Sequence, residues 1–170
     1  MKAGPASSHD ASGLPAVLAQ KLIAREAVDA FEWARPLVFT NGVFDILHRG
    51  HVEYLIEARA LGAALIVGLN TDRSARALAK GPERPLNTQL DRAAVLTALA
   101  CVSYVAFFDE PTPCELLRRC RPDVYVKGDD YDIERLEETR IVRSWGGRSI
   151  AIAFRQGYST TNLVERIRGT

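Results

Sequence analysis

Two of the chain's three histidines, His48 and His51, stand three residues apart in the string Thr40-Asn41-Gly42-Val43-Phe44-Asp45-Ile46-Leu47-His48-Arg49-Gly50-His51. An apolar run, Pro36 to Phe39, precedes the string and a helical pattern follows it. The expected local structure is a strand, a glycine-containing turn and a helix N-terminus. Residues three apart on a helix share a face, so both imidazoles can point at one ligand. The helix start adds unbonded backbone N–H groups and the positive end of the helix dipole, which together favour a phosphate. Gly50 has no Cβ, so a ligand can approach the backbone closely there. A neutral imidazole donates a hydrogen bond to a phosphate oxygen from one nitrogen, and a protonated one adds charge. Zinc is the competing chemistry, and the spacing speaks against it. Metalloprotease helices carry histidines four apart with a glutamate between them, and no third ligand is in view. The plainest alternative is a helix start with incidental histidines, one of them capping; the strand–turn–helix context disfavours it.

The elements that must position these groups alternate along the chain. Strands are expected at Leu37–Thr40, Ala64–Leu69, Val102–Phe107, Val124–Val126 and Ser149–Phe154. Helices are expected at Gly50–Leu61, Asp72–Leu78, Thr88–Ala100, Pro113–Cys120, Ile133–Trp145 and Thr160–Ile167. The first three strands are continuous apolar runs, as in strands buried on both faces. Alternating strand–helix units predict an α/β fold: a doubly wound, mainly parallel five-stranded sheet with helices on both faces. Ligands of such sheets sit beyond the carboxyl ends of the strands, at the switch in strand order. The polar clusters obey this rule. Asn41-Gly42 and the histidines follow the first strand, Asn70-Thr71-Asp72 the second, Asp109-Glu110 the third and Lys127-Gly128-Asp129-Asp130 the fourth.

At 170 residues the chain is most simply one folded unit with a lead-in. Residues 1–13 are small and polar and are expected to be disordered. Leu14, Val17, Leu18 and Leu22 recur at helical spacing, so residues 14–35 are expected to be an N-terminal helical segment ahead of a domain at 36–170. Net charge is +1 from 22 basic and 21 acidic residues, with no basic stripe for nucleic acid or an anionic membrane. No apolar run approaches the length that spans a bilayer, and no signal peptide is apparent. Cys101, Cys114 and Cys120 form no CxxC pair, which predicts reduced thiols in a cytoplasmic protein.

The blocks in order carry a resemblance. His48-Arg49-Gly50-His51 matches the HxGH signature of the nucleotidyltransferase (cytidylyltransferase-like) superfamily. The longer string from Thr40 is similar to that of heptose 1-phosphate adenylyltransferases and of glycerol-3-phosphate cytidylyltransferases. Lys80…Arg84-Pro85 with Gln89-Leu90-Asp91-Arg92 resembles the family's mobile lysine loop and the arginine-bearing helix after it. Val126-Lys127-Gly128-Asp129-Asp130-Tyr131 resembles its KGxDY block, and Gly157-Tyr158-Ser159-Thr160-Thr161-Asn162 its GxSTTN block. Phe154, where the cytidylyltransferases carry an arginine, Asn162 and the Val126-Lys127-Gly128 segment favour the heptose enzymes, and the chain's length makes the stand-alone form the expected one. Arg155 keeps the cytidylyltransferase reading open.

The resemblance implies transfer of AMP from ATP to a sugar 1-phosphate with release of pyrophosphate, in lipopolysaccharide inner-core synthesis. It implies His48, His51, Lys80 and Arg92 as catalytic groups. The nucleotide would meet Thr40, Asn41, Gly42, Val43, Phe44, His48, Gly50, His51, Lys127, Gly128, Asp129, Gly157, Tyr158, Ser159, Thr160 and Thr161. The sugar phosphate would meet Asp45, Asn70, Asp72, Lys80 and Arg84. Mg²⁺ would arrive with ATP and keep most of its waters, with no dedicated protein cage. A homodimer in the cytoplasm is the expected state. Several groups have plainer readings: Lys80 and Arg84 as solvated loop charges, Arg92 as a surface charge, Lys127 to Asp130 as a turn, and Ser159 to Thr161 as a helix cap. Asp45 has a supporting part, either orienting His48 or meeting the sugar, because a carboxylate beside phosphate needs hydroxyls or a cation to face.

Overall fold

The computed structural model describes residues 13–78, 84–129, 131–153 and 160–169, apart from the side chains of 161, 162, 165 and 168. In chain order the elements are α1 (Ala16–Ala19), β1 (Leu22–Ile23), β2 (Leu37–Gly42), α2 (Arg49–Arg59), β3 (Ala64–Asn70), α3 (Asp72–Ala77), α4 (Gln89–Ala98), β4 (Tyr104–Phe108), α5 (Cys114–Cys120), β5 (Val124–Gly128), α6 (Glu137–Arg143), β6 (Arg148–Ile152) and α7 (Thr160–Arg168). The strands form one parallel sheet in the order β1-β4-β3-β2-β5-β6. The doubly wound architecture is as the alternation predicts, but the sheet has six strands rather than five.

The sixth strand corrects the N-terminal expectation. Residues 14–35 form no long helix. Only the four residues of α1 are α-helical, β1 pairs with β4, and Arg25–Ala30 is a 3-10 helix. Tertiary contacts override the helical spacing. Ile23 and Val28 are buried in the layer over one sheet face, and Phe31 and Trp33 cluster with Tyr104 at centroid distances of 5.0 and 5.3 Å. Lys21 locks the junction: its carbonyl accepts from Val105 N, and its ammonium donates to the Leu99 and Val102 carbonyls at the end of α4. The helix expected at Ile133–Trp145 is also interrupted, into a 3-10 turn at Ile133–Arg135 and α6, with Leu136 extended between them.

β3 is buried along its whole length, as an apolar central parallel strand must be. Alternate residues serve two cores. Val38, Leu65, Val67, Val105 and Val126 pack with Leu55 of α2 and Leu96 of α4. Leu37, Phe39, Ile66, Ala106 and Tyr125 pack with Leu117 of α5 and Val142 of α6. The strand order reverses between β2 and β5: β3 and β4 follow on one side of β2, and β5 and β6 on the other. The carboxyl ends of β2 and β5 are therefore the place for a ligand.

Candidate active site

β2 ends at Gly42, and the chain turns sharply before α2. The turn needs a left-handed residue, and that residue is Phe44, with φ +47°. A bulky side chain rarely adopts this conformation, so the surroundings must hold it there. The Phe44 ring folds back over Gly42, where a Cβ would lie 3.1 Å from Cε2. A side chain at this position would crowd the Phe44 ring.

His48 is the N-cap of α2, and His51 lies in its first turn. His51 N donates to the His48 carbonyl at 3.0 Å and Val52 N at 3.3 Å. The two imidazoles stack with centroids 3.9 Å apart and planes 25° from parallel. The edge of Phe44 meets His51 at 5.4 Å, and both Nδ1 atoms are shielded from solvent. Burial lowers the His48 pKa below its ordinary value, favouring the neutral ring. Gly50 between them is buried.

Lys127 reaches the same place from β5. Its ammonium donates to the Asn41 carbonyl and to Asn41 Oδ1, each at 3.2 Å, and lies 4.9 Å from the Tyr131 ring centroid. Tyr125 donates to Asn41 Oδ1 as well. Two donors on Oδ1 fix the amide, leaving its Nδ2 as a donor on the other side. Gly128 ends β5, and Asp129 N donates to the Ile152 carbonyl. Thr160, which opens α7, donates from its hydroxyl to the Ile46 carbonyl at 3.3 Å, so the start of the last helix touches the histidine turn. Lys80, Phe154, Arg155, Gly157, Tyr158 and Ser159 lie outside the described residues, as does the side chain of Thr161.

Other residues assigned to ligand from the sequence turn inward instead. The Thr40 side chain is buried, and its hydroxyl pairs with Tyr54 at 2.6 Å. Asn70 is buried and donates to Ser74 Oγ at 3.0 Å. Arg92 is not a surface charge: its side chain is fully buried, donating to the Asn87 carbonyl at 3.1 Å, the Val43 carbonyl at 2.7 Å and Asp72 Oδ1 at 2.7 Å. Asp45 accepts from Arg84 at 2.8 Å, from Leu86 N at 2.8 Å and from Asn87 N at 3.0 Å. Burial pushes the Asp45 carboxyl up, but these donors outweigh burial and hold its pKa below the ordinary value. Arg84, expected to be either a solvated charge or a phosphate contact, is mostly buried against Asp45. Sequence reasoning missed Asn87 and Gln89. Asn87 Nδ2 donates to the Asp45 carbonyl, and Gln89 Oε1 accepts from Asp72 N at 3.0 Å. Their only signal is amide side chains flanking a helix start.

Chemically, the site offers a stacked imidazole pair, a helix N-terminus and an ammonium, all on one side of the sheet's switch point. Among the described residues, no three His, Cys, Asp or Glu side chains gather as a metal-binding group.

Residues 39–166 match the family model described as cytidylyltransferase-like. The D-beta-D-heptose 1-phosphate adenylyltransferase of Bordetella bronchiseptica is 59% identical over 142 residues, covering 84% of this chain and 88% of that protein. The bifunctional protein HldE of Syntrophotalea carbinolica is 53% identical over 133 residues, and that of Geotalea uraniireducens 53% over 132. Each match covers 78% of this chain and 27% of the bifunctional protein, so the chain spans about a quarter of those relatives. The crystal structure of the lipopolysaccharide core biosynthesis protein from Thermoplasma volcanium GSS1 superposes with a TM-score of 0.60 at 28% identity, covering 72% of this chain and 98% of that one.

Proposed function

We propose the reaction on one premise: the chain belongs to the cytidylyltransferase-like family, and its site is suited to transfer of AMP from ATP to D-glycero-D-manno-heptose 1-phosphate, giving ADP-heptose and pyrophosphate. The observation that carries the chemistry is the stacked His48–His51 pair at the start of α2. The choice of sugar rests on the Bordetella relative and its name. The product would feed lipopolysaccharide inner-core synthesis.

A phosphate oxygen of the sugar attacks the α-phosphorus of ATP, and pyrophosphate leaves in line. Positioning and charge stabilisation do most of this work. The two imidazoles donate to the α-phosphate and to the oxygen bridging to the leaving group. Those bonds strengthen as charge develops, which is what lowers the barrier. The low pKa of His48 keeps its ring a neutral donor near pH 7. Lys127 and the backbone N–H groups of α2 hold phosphate oxygens. Lys80 and the Gly157 to Thr161 block enter by resemblance alone: the lysine as a triphosphate contact, the block around the nucleotide. Mg²⁺ belongs to the substrate as the counterion of ATP. Asp45, Asn70 and Arg92, which are buried and bonded within the protein, are left out of ligand contact, as are Arg84 and Asp72, the ion-pair partners of Asp45 and Arg92.

The protein is proposed to act in the cytoplasm as a homodimer, without nucleic acid. The thiols fit a reducing compartment: Cys114 and Cys120 are buried, and burial pushes the Cys120 pKa up to about 12. No helix among the described residues is long and apolar enough to cross a membrane. The test is pyrophosphate release with Mg²⁺, using ATP and CTP separately, each with heptose 1-phosphate and with glycerol 3-phosphate. Turnover confined to ATP with the heptose phosphate is expected. Turnover confined to CTP with glycerol phosphate would replace the substrates and keep the histidine chemistry.

A further inference from the structure

We propose that Asp45 and Arg92 are the two pins of a clasp that orients the histidine pair, and that neither touches substrate. The proposal deepens the proposed function, resting on the histidine pair as its reaction centre. Phe44 is the joint to be held. It is the one left-handed residue between β2 and α2, and its ring is the wall against which His51 sits. Arg92 pins the carbonyl just before it, Val43 O, at 2.7 Å. Asp45, the residue just after it, is the second pin. One carboxylate oxygen accepts Leu86 N and Asn87 N, the other accepts Arg84, and the Asp45 carbonyl accepts Asn87 Nδ2.

The pins are joined to each other. Arg92 also donates to the Asn87 carbonyl, so Asn87 bonds to both. Asp72 ties Arg92 to the start of α3, and Gln89 ties Asp72 N to α4. The Phe44 turn is thus gripped on both sides by one segment, residues 84–92, whose base is the start of α4, a helix that buries Arg92, Ala93, Leu96 and Thr97. The Arg92 side chain is fully buried and that of Asp45 is 6% exposed, so neither reaches a ligand without breaking the clasp. A left-handed phenylalanine persists only where its surroundings over-determine it, and this network supplies the constraint.

The experiment compares Asp45→Ala, Asp45→Asn and Asn87→Ala with the wild type. The measurements are kcat, KM for each substrate, and the Cε1–H resonances of the imidazoles in the substrate-free protein. A small displacement of a reacting group costs up to about a hundredfold, so Asp45→Ala should lower kcat roughly ten- to a hundredfold, with both KM values within about threefold. Asp45→Asn keeps an oxygen for the Leu86 and Asn87 N–H groups and should recover kcat to within about fivefold of wild type. Asn87→Ala removes one bond at an exposed residue, so it folds even if Asp45→Ala does not, and should lower kcat about threefold. In both alanine variants the His48 and His51 signals should move. Unmoved imidazole signals, or a loss confined to KM for the sugar phosphate, would overturn the clasp. Should the wild type itself turn over none of the substrates, the function fails, and the imidazole signals still decide the clasp.

Discussion

The two flanks of the histidine turn use their charges in opposite ways. On the β3–α4 flank, Arg84, Arg92, Asp45 and Asp72 bind one another and the backbone. On the β5 flank, Lys127 is half-buried and its ammonium stands beside the end of β2, held by two 3.2 Å bonds to Asn41 and by a tyrosine face. Both flanks lie at the carboxyl ends of parallel strands, so position in the fold does not separate them. Burial does. A charge out of water needs its full set of partners inside the protein. A partly exposed cation can exchange water for phosphate. The first flank is a frame and the second is a grip.

The largest effect should fall between the flanks. His48→Ala and His51→Ala should each lower kcat by about two orders of magnitude or more with ATP binding largely kept. Isothermal titration with ATP beside steady-state rates separates the two quantities. A loss of ATP affinity with kcat intact would make the pair a binding element only.

Next comes the frame. Arg92→Gln removes one partner of a buried pair and strands Asp72 and two carbonyls, so a stability loss of roughly 3–5 kcal/mol is expected. For a chain of this size the melting midpoint should fall by about 10 °C. If the midpoint holds and KM for ATP rises instead, Arg92 faces the ligand and the contrast between flanks collapses.

The grip should answer in the other currency. Lys127→Ala should raise KM for ATP about tenfold or more, as loss of a charged hydrogen bond does. Its melting midpoint should stay within about 2 °C of wild type. A large fall in stability would place Lys127 with the frame.

The contrast also shows what sequence can tell. Buried apolar strands at regular spacing announced the parallel sheet, and the HxGH spacing announced a shared imidazole face, because both depend on local period alone. β1 was hidden, because two residues carry no period and Leu22 shares helical spacing with Leu14 and Leu18. Arg92 was given a catalytic part by the resemblance of its block, and a surface charge was the reading of the helix alone. Nothing in a linear string shows that Val43 and Asn87 aim their carbonyls at it. Asp45 was nearer the mark. Electrostatics alone asked for hydroxyls or a cation to face it, and Arg84 is a cation that does.

The smallest effects should appear in how stability varies with pH, and they fall in separate windows. His48 has a folded pKa below its ordinary 6.5, because burial disfavours the charged ring. Between 6.5 and the lower folded value the unfolded chain binds a proton that the folded one does not, so stability declines on acidification there. His48→Gln should flatten that decline. Asp45 has a folded pKa below its ordinary 3.8, so its contribution is full above 3.8 and is lost as pH falls through the folded value. Asp45→Asn should therefore differ from wild type by a constant amount at neutral pH and converge on it only in strong acid. Urea midpoints taken from about pH 7 down to 3 test both. Parallel curves for His48→Gln and wild type between about pH 6.5 and 5 would mean that the ring titrates alike folded and unfolded. The imidazole would then be open to water, and the shielded stack between frame and grip would not hold in solution.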